Sequence, residues 1–132
     1  TYMDSEQKDL GKQADGRDRA GTGLAFPNTP KHSYSLWTSY HFTPKFTAGV
    51  GIYGQSEVVG NYAYSGNALI KRAIGGYTRF DAMASYAYSR NVTLQLNVSN
   101  LFDKTYYGST YTTHYATLAN GRSAVLSANV KF

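Results

Sequence analysis

The chain has 132 residues, 13 Lys+Arg against 8 Asp+Glu, a formal net charge of +5 and no cysteine. These figures exclude a disulfide scaffold, a cysteine-based zinc site and a thiol enzyme, and 15% aromatic content argues against a disordered chain. No apolar run reaches the length of a transmembrane helix, but a mean hydropathy of −0.44 leaves membrane strands open, because alternating strands average out.

In chain order, Thr1-Tyr2-Met3 reads as the tail of a strand. Thr1 opens no secretory signal, and the chain reads there as already processed or cut. Residues 4–19 crowd together Asp4, Glu6, Lys8, Asp9, Lys12, Asp15 and their neighbours with no apolar period. With Gly21, Gly23, Pro27 and Pro30 they predict a solvated, irregular connection over about 4–30.

From there the hydrophobic period is two. Over 32–42, Tyr34, Leu36, Thr38, Tyr40 and Phe42 share one face, with Ser33, Ser35, Trp37, Ser39 and His41 opposite. Thr43-Pro44-Lys45 makes a tight connection. Over 46–54, Phe46, Ala48, Val50 and Ile52 share a face. A long loop is predicted over about 55–76. The next strand, 77–90, sets Phe80, Ala82, Ala84, Tyr86 and Tyr88 against Arg79, Asp81, Ser85 and Ser89. After a turn at Arg90-Asn91, Val92, Leu94, Leu96 and Val98 alternate with Thr93, Gln95, Asn97 and Ser99. A third long loop covers about 105–121. Ala124, Leu126, Ala128, Val130 and Phe132 close the chain on the apolar side of a last strand.

The pattern predicts an all-β, antiparallel fold with short turns at one end and long loops at the other, the signature of outer-membrane barrels. The apolar faces mix alanine with large aromatics. Lipid tolerates this, since it needs no interdigitation. Tyr40, Phe42, Phe46, Tyr86, Tyr88 and Phe132 would form an interfacial girdle. The Ser/Thr/Asn/Gln face suits a wet or plugged interior. A soluble sandwich, with the apolar face as core, is the competing reading. Five or six strands cannot close a barrel, and open sheet edges in lipid are costly. The chain is therefore read as a piece of a larger transmembrane β-barrel or as one that pairs with other chains.

Other chemistry finds little support. His32, His41 and His114 show no metal-ligand spacing, no nucleophile elbow occurs, and Glu57, Asp81 and Asp103 lie on separate elements. No enzyme is expected. The Asn91-Val92-Thr93 and Asn97-Val98-Ser99 sequons fall within a predicted strand and are discounted. Nucleic-acid binding would want Lys and Arg interleaved with aromatics on one strand face. The basic residues sit mostly at strand ends instead. Arg79 and Asp81, two apart on the inner face, suggest a lumenal ion-pair network. Asp103 and Lys104 are expected to cap a strand end, and Gly49, Gly51 and Gly54 to relieve crowding against a plug.

Asn28-Thr29-Pro30-Lys31-His32, then Gly76-Tyr77-Thr78-Arg79-Phe80-Asp81-Ala82-Met83, then Leu96-Asn97-Val98-Ser99-Asn100-Leu101-Phe102-Asp103-Lys104-Thr105-Tyr106-Tyr107, with Gly121-Arg122-Ser123 and terminal Phe132, resemble the C-terminal strands of TonB-dependent siderophore receptors. The resemblance covers about 28–132. It implies a 22-stranded barrel in the outer membrane of a Gram-negative bacterium, multi-pass. An N-terminal plug lying outside these residues would close that barrel, and the receptor would import ferric siderophores with energy from TonB. The ferric siderophore is the transported ligand, and no covalent cofactor is implied. Implied partners are outer-membrane lipid and lipopolysaccharide, the plug and remaining strands, TonB through the plug, and the barrel-assembly machinery through Phe132, with no nucleic acid. The Tyr/His-rich loop is similar to that of catecholate-type members. On that basis Tyr106, Tyr107, Tyr111, His114 and Tyr115 are candidate ligand contacts, by stacking and hydrogen bonding, against the alternative of a loop packing on its own tyrosines. Arg122, with Lys71 and Arg72, could draw an anionic ligand to the mouth. The alternative function is a soluble or surface β-sheet binding module, lectin- or adhesin-like, without transport.

Overall fold

A computed structural model describes residues 1–111 and 115–132. Among these residues every regular element is a strand. The chain divides into two compact units.

One unit comprises residues 34–54, 78–105 and 120–132. It carries strands β1 (Ser33–Thr43) and β2 (Phe46–Gln55), and, numbered in chain order past two connecting hairpins, β5 (Tyr77–Ala87), β6 (Val92–Ser99) and β9 (Ser123–Val130). They form one sheet in the order β1-β2-β5-β6-β9. These are the five strands expected from the period of two. Thr43 Oγ1 accepts the Phe46 N–H at 3.0 Å in the first short turn. The second turn is longer than expected, because β5 stops at Ala87. Ser89 Oγ accepts the N–H groups of Asn91 and Val92, so Tyr88 and Ser89 belong to the turn.

The register sorts side chains into two faces. Ala84, Leu96 and Leu126 stand abreast, as do Tyr86, Leu94 and Ala128, and Ala82, Val98 and Ala124. Between them run the rows Ser85-Gln95-Ser127 and Met83-Asn97-Val125, with Ala87-Thr93-Asn129 beyond; Met83 and Val125 are the apolar exceptions on this otherwise polar side. Side chains alternate across a strand, so the apolar rows share one face and the polar rows the other. Among the described residues no second layer covers the apolar face: Leu36, Tyr40, Phe42 and Leu126 are each more than 60% exposed. The sandwich reading needed these positions as core. An uncovered apolar sheet with open edges suits lipid when further strands pair with β1 and β9.

On the polar side the glycines serve Trp37. A Cβ on Gly51 would meet the indole Cε3 at 2.4 Å, and one on Gly49 would meet Cζ2 at 3.0 Å. Within the described residues the crowding relieved at Gly49 and Gly51 comes from Trp37 on the neighbouring strand.

The other unit comprises residues 1–33, 55–77 and 106–119. Two of the expected long loops prove to be hairpins: β3 (Val58–Ser65) with β4 (Ala68–Ile74), and β7 (Tyr107–Tyr111) with β8 (Tyr115–Leu118). Gly66, at φ 61°, takes the first central position of the two-residue β3–β4 turn, where a primed hairpin turn favours glycine. Val58, Tyr62 and Ile74 are buried and form the apolar core of this unit among the described residues. Residues 4–30 contain no strand, as expected. The Tyr62 ring and Gln7 press against Gly21, whose φ is 103°. Thr1 and Ser33 exchange N–H···O bonds of 2.6 and 2.9 Å, and Tyr2 bridges His32 in antiparallel sense.

Candidate functional site

Tyr106, Tyr107, Tyr111 and Tyr115 come together on or beside the β7–β8 hairpin. Tyr111 pairs with Tyr115 and Tyr107 with Leu118 in its register, with an irregularity at Gly108. The Ala119 N–H donates to the Tyr106 carbonyl at 2.9 Å and closes the base of the hairpin. Tyr106 stacks on Tyr77, with ring centroids 4.0 Å apart and planes at 25°. Its ring therefore has a packing partner within the protein. Tyr107 and Tyr115 present exposed rings. His114 lies outside the described residues.

Arg122 belongs to the other unit, just ahead of β9. Its backbone N–H donates to Asp103 Oδ1 at 2.7 Å. Lys71, on β4, pairs with Glu57 Oε1 at 2.5 Å. The hydrogen bond that its ammonium donates to Glu57, then the Glu57 charge, raise the Lys71 pKa above the ordinary lysine value. The lysine thus stays charged, with an acidic partner beside it. Arg72 stands opposite Asn61 in the β3–β4 register.

The expected network on the inner face is an ion pair of Arg79 Nη2 with Asp81 Oδ2 at 2.8 Å. The guanidinium also lies 5.0 Å from the Tyr53 ring centroid, a cation–π geometry. The second Asp81 oxygen accepts the Asn100 N–H at 2.9 Å.

Sequence reasoning gave the strand-end cap to Asp103 and Lys104. The structure gives the larger part to Asn100, which is 2% exposed. Lys104 contributes only backbone groups: its N–H and carbonyl both bond to the Asn100 carboxamide. The signal available was an asparagine directly after a strand, a residue type that tolerates the left-handed conformation.

The family model described as "TonB dependent receptor-like, beta-barrel" matches residues 1–101. The chain belongs to this family. Its sheet is therefore an arc of a receptor barrel, and the family consists of receptors and transporters, not enzymes. The chain is 43% identical over 113 residues, 83% of its length, to a probable TonB-dependent receptor, BfrD, of Bordetella pertussis. It is 41% identical along its whole length to a probable TonB-dependent siderophore receptor, PiuA, of Acinetobacter baumannii. The crystal structure of PiuA superposes on 99% of the chain with a TM-score of 0.82, at 40% identity. The catecholate siderophore receptor Fiu of Escherichia coli K12 is 32% identical over 126 residues, 89% of the chain. The chain spans less than a fifth of these relatives: 15% of BfrD, 18% of PiuA and 15% of Fiu.

Proposed function

We propose that the chain forms part of an outer-membrane receptor that imports ferric siderophores, of catecholate type, in a Gram-negative bacterium. The observation that carries this reading is the sheet whose apolar rows lie in register on an uncovered face, in a chain of this receptor family. That face meets lipid, and the hydroxyl- and amide-rich face lines the interior. The plug and remaining strands complete the barrel, TonB acts through the plug, lipopolysaccharide contacts the outer leaflet, and Phe132 addresses the chain to the barrel-assembly machinery. Siderophore specificity draws support from PiuA and Fiu, which their names describe as siderophore receptors. Tyr107 and Tyr115 supply exposed aromatic surface suited to a catecholate ring.

The test is uptake of radioactive iron by an iron-starved, receptor-deficient host expressing the full receptor. A synthetic ferric tris-catecholate complex serves as the probe. Uptake that requires both the receptor and the host's TonB supports the reading. A correctly inserted receptor that gives no iron uptake from this complex overturns the catecholate assignment. If a panel of ferric hydroxamate and carboxylate complexes also fails, the import reading falls. The lectin- or adhesin-like alternative would instead need a partner layer over the apolar face.

A further inference from the structure

The tight turn after β6 holds two left-handed residues whose side chains both reach the chain returning into β9. Asn100 has φ 55° and Asp103 φ 53°. Asn100 Oδ1 accepts the Lys104 N–H at 2.9 Å, and its Nδ2 donates to the carbonyls of Lys104 at 3.0 Å and Asn120 at 3.3 Å. Asp103 Oδ1 accepts the Arg122 N–H at 2.7 Å. Gly121 leaves room for this approach, since a Cβ there would stand 3.1 Å from the same carboxylate oxygen. Lys104 and Asn120 bracket the segment that carries β7 and β8. One buried carboxamide thus ties the outgoing and returning ends of the tyrosine-bearing connection.

We propose that Asn100, seconded by Asp103, is a positioning residue for ligand capture: it clasps the two roots of the connection between β6 and β9, at Lys104 and Asn120, and keeps them ordered before ligand arrives. The β6–β9 ladder already sets Ser99 opposite Ser123, so the clasp acts on the residues just beyond the ladder. Roots that are already ordered lose less freedom on binding. Buried polar groups are retained only when hydrogen-bonded, and Asn100 uses both its acceptor and its donor on the two roots. The functional half of this inference rests on the import reading; the clasp itself does not.

The discriminating variant is Asn100→Gly in the full receptor. Glycine keeps the left-handed φ and the N–H that Asp81 accepts, so only the carboxamide is deleted. Hydrogen exchange of the purified receptor, without ligand, should show the Lys104 amide and the β7 and β8 amides exchanging roughly five- to tenfold faster than in wild type. In cells, half-saturation for the ferric tris-catecholate complex should rise severalfold while the maximal uptake rate and the amount of folded receptor stay level. Asp103→Gly tests the second arm if Asn100→Gly fails to insert. It should speed exchange at Arg122 and raise half-saturation, and Asp103→Asn, which keeps an acceptor, should restore both. Unchanged exchange in a folded glycine variant overturns the clasp. Faster exchange with unchanged half-saturation overturns its role in capture. A wild-type receptor that imports no iron from this complex defeats the catecholate reading instead, and the exchange experiment still decides the clasp.

Discussion

The indole of Trp37 occupies the space that a side chain at Gly51 would need: a Cβ there would stand 2.4 Å from Cε3 and 2.8 Å from Cζ3. The two residues lie on adjacent strands, β1 and β2. Any larger residue at 51 must push the indole aside or part the strands. Overpacking of this kind costs about 1–3 kcal/mol. Gly51→Val should therefore lower the unfolding midpoint of the full receptor, followed by the gel-mobility shift of the folded barrel on heating. A Trp37→Ala background should relieve much of the loss. An equal loss in both backgrounds would mean that the indole is not the obstacle.

The two-faced sheet makes an asymmetric prediction for adjacent residues. Leu126 is 71% exposed and aligned with Leu96 and Ala84. Ser127 is aligned with Gln95 and Ser85. Leu126→Arg should cost about 2–4 kcal/mol for a position near the bilayer midplane. Ser127→Arg, facing the interior, should cost far less. Refolding of the full receptor into lipid vesicles measures both. Equal costs would contradict the assignment of faces.

Gly21 tests the other unit. Its φ of 103° is strained for any residue with a Cβ, and that atom would stand 2.7 Å from Gln7 Oε1 and 3.2 Å from the Tyr62 ring. Gly21→Ala should cost at least about 1 kcal/mol and loosen residues 4–30. Limited proteolysis of the folded receptor should cut there faster than in wild type. An unchanged cleavage rate would show that this packing does not hold the segment.

The strands were legible because apolar residues recur at every second position, broken at Met83 in β5 and Val125 in β9 and without exception over Val92–Val98. The β3–β4 hairpin was not, because a register shift between Val59 and Asn61 interrupts the alternation where it would have been counted. Its readable sign was Gly66-Asn67 between two apolar stretches. The tyrosines of the candidate site were legible as a cluster in sequence, and β7–β8 keeps them on one hairpin. That Tyr106 would turn to Tyr77 was not legible, since stacking partners twenty-nine positions apart leave no local pattern. Asn100 escaped notice for the same reason: its bond to Asn120 is a tertiary fact.

Lys71 and Glu57 give a pH prediction in the β3–β4 connection. The folded-state pKa of Lys71 lies above the ordinary lysine value of 10.5, chiefly through the hydrogen bond that its ammonium donates to Glu57 and then the Glu57 charge. A raised lysine contributes fully below 10.5 and loses its contribution as pH climbs through the raised value. The pair should therefore persist unchanged through the neutral range and weaken only in strong alkali. Titration of isotope-labelled lysine by NMR should place the Lys71 midpoint above 10.5, and Glu57→Gln should bring it down. Because both side chains are about half exposed, Glu57→Gln should leave receptor stability nearly unchanged.

The tyrosines separate by what their rings already touch. Tyr106 is engaged with Tyr77, whereas Tyr115 is 72% exposed and Tyr107 46%. Tyr107→Ala and Tyr115→Ala should raise half-saturation for a ferric tris-catecholate complex and leave the order of the hairpin intact. Tyr106→Ala should cost about 0.5–1.5 kcal/mol of aromatic pairing and speed proteolysis of the hairpin, and Tyr106→Phe should preserve the stack. Uptake kinetics and proteolysis measured side by side check both halves. If Tyr107→Ala and Tyr115→Ala leave uptake kinetics at wild-type values, those rings do not meet the ligand; if Tyr106→Ala changes half-saturation without any change in proteolysis, its ring acts on the ligand and not on Tyr77.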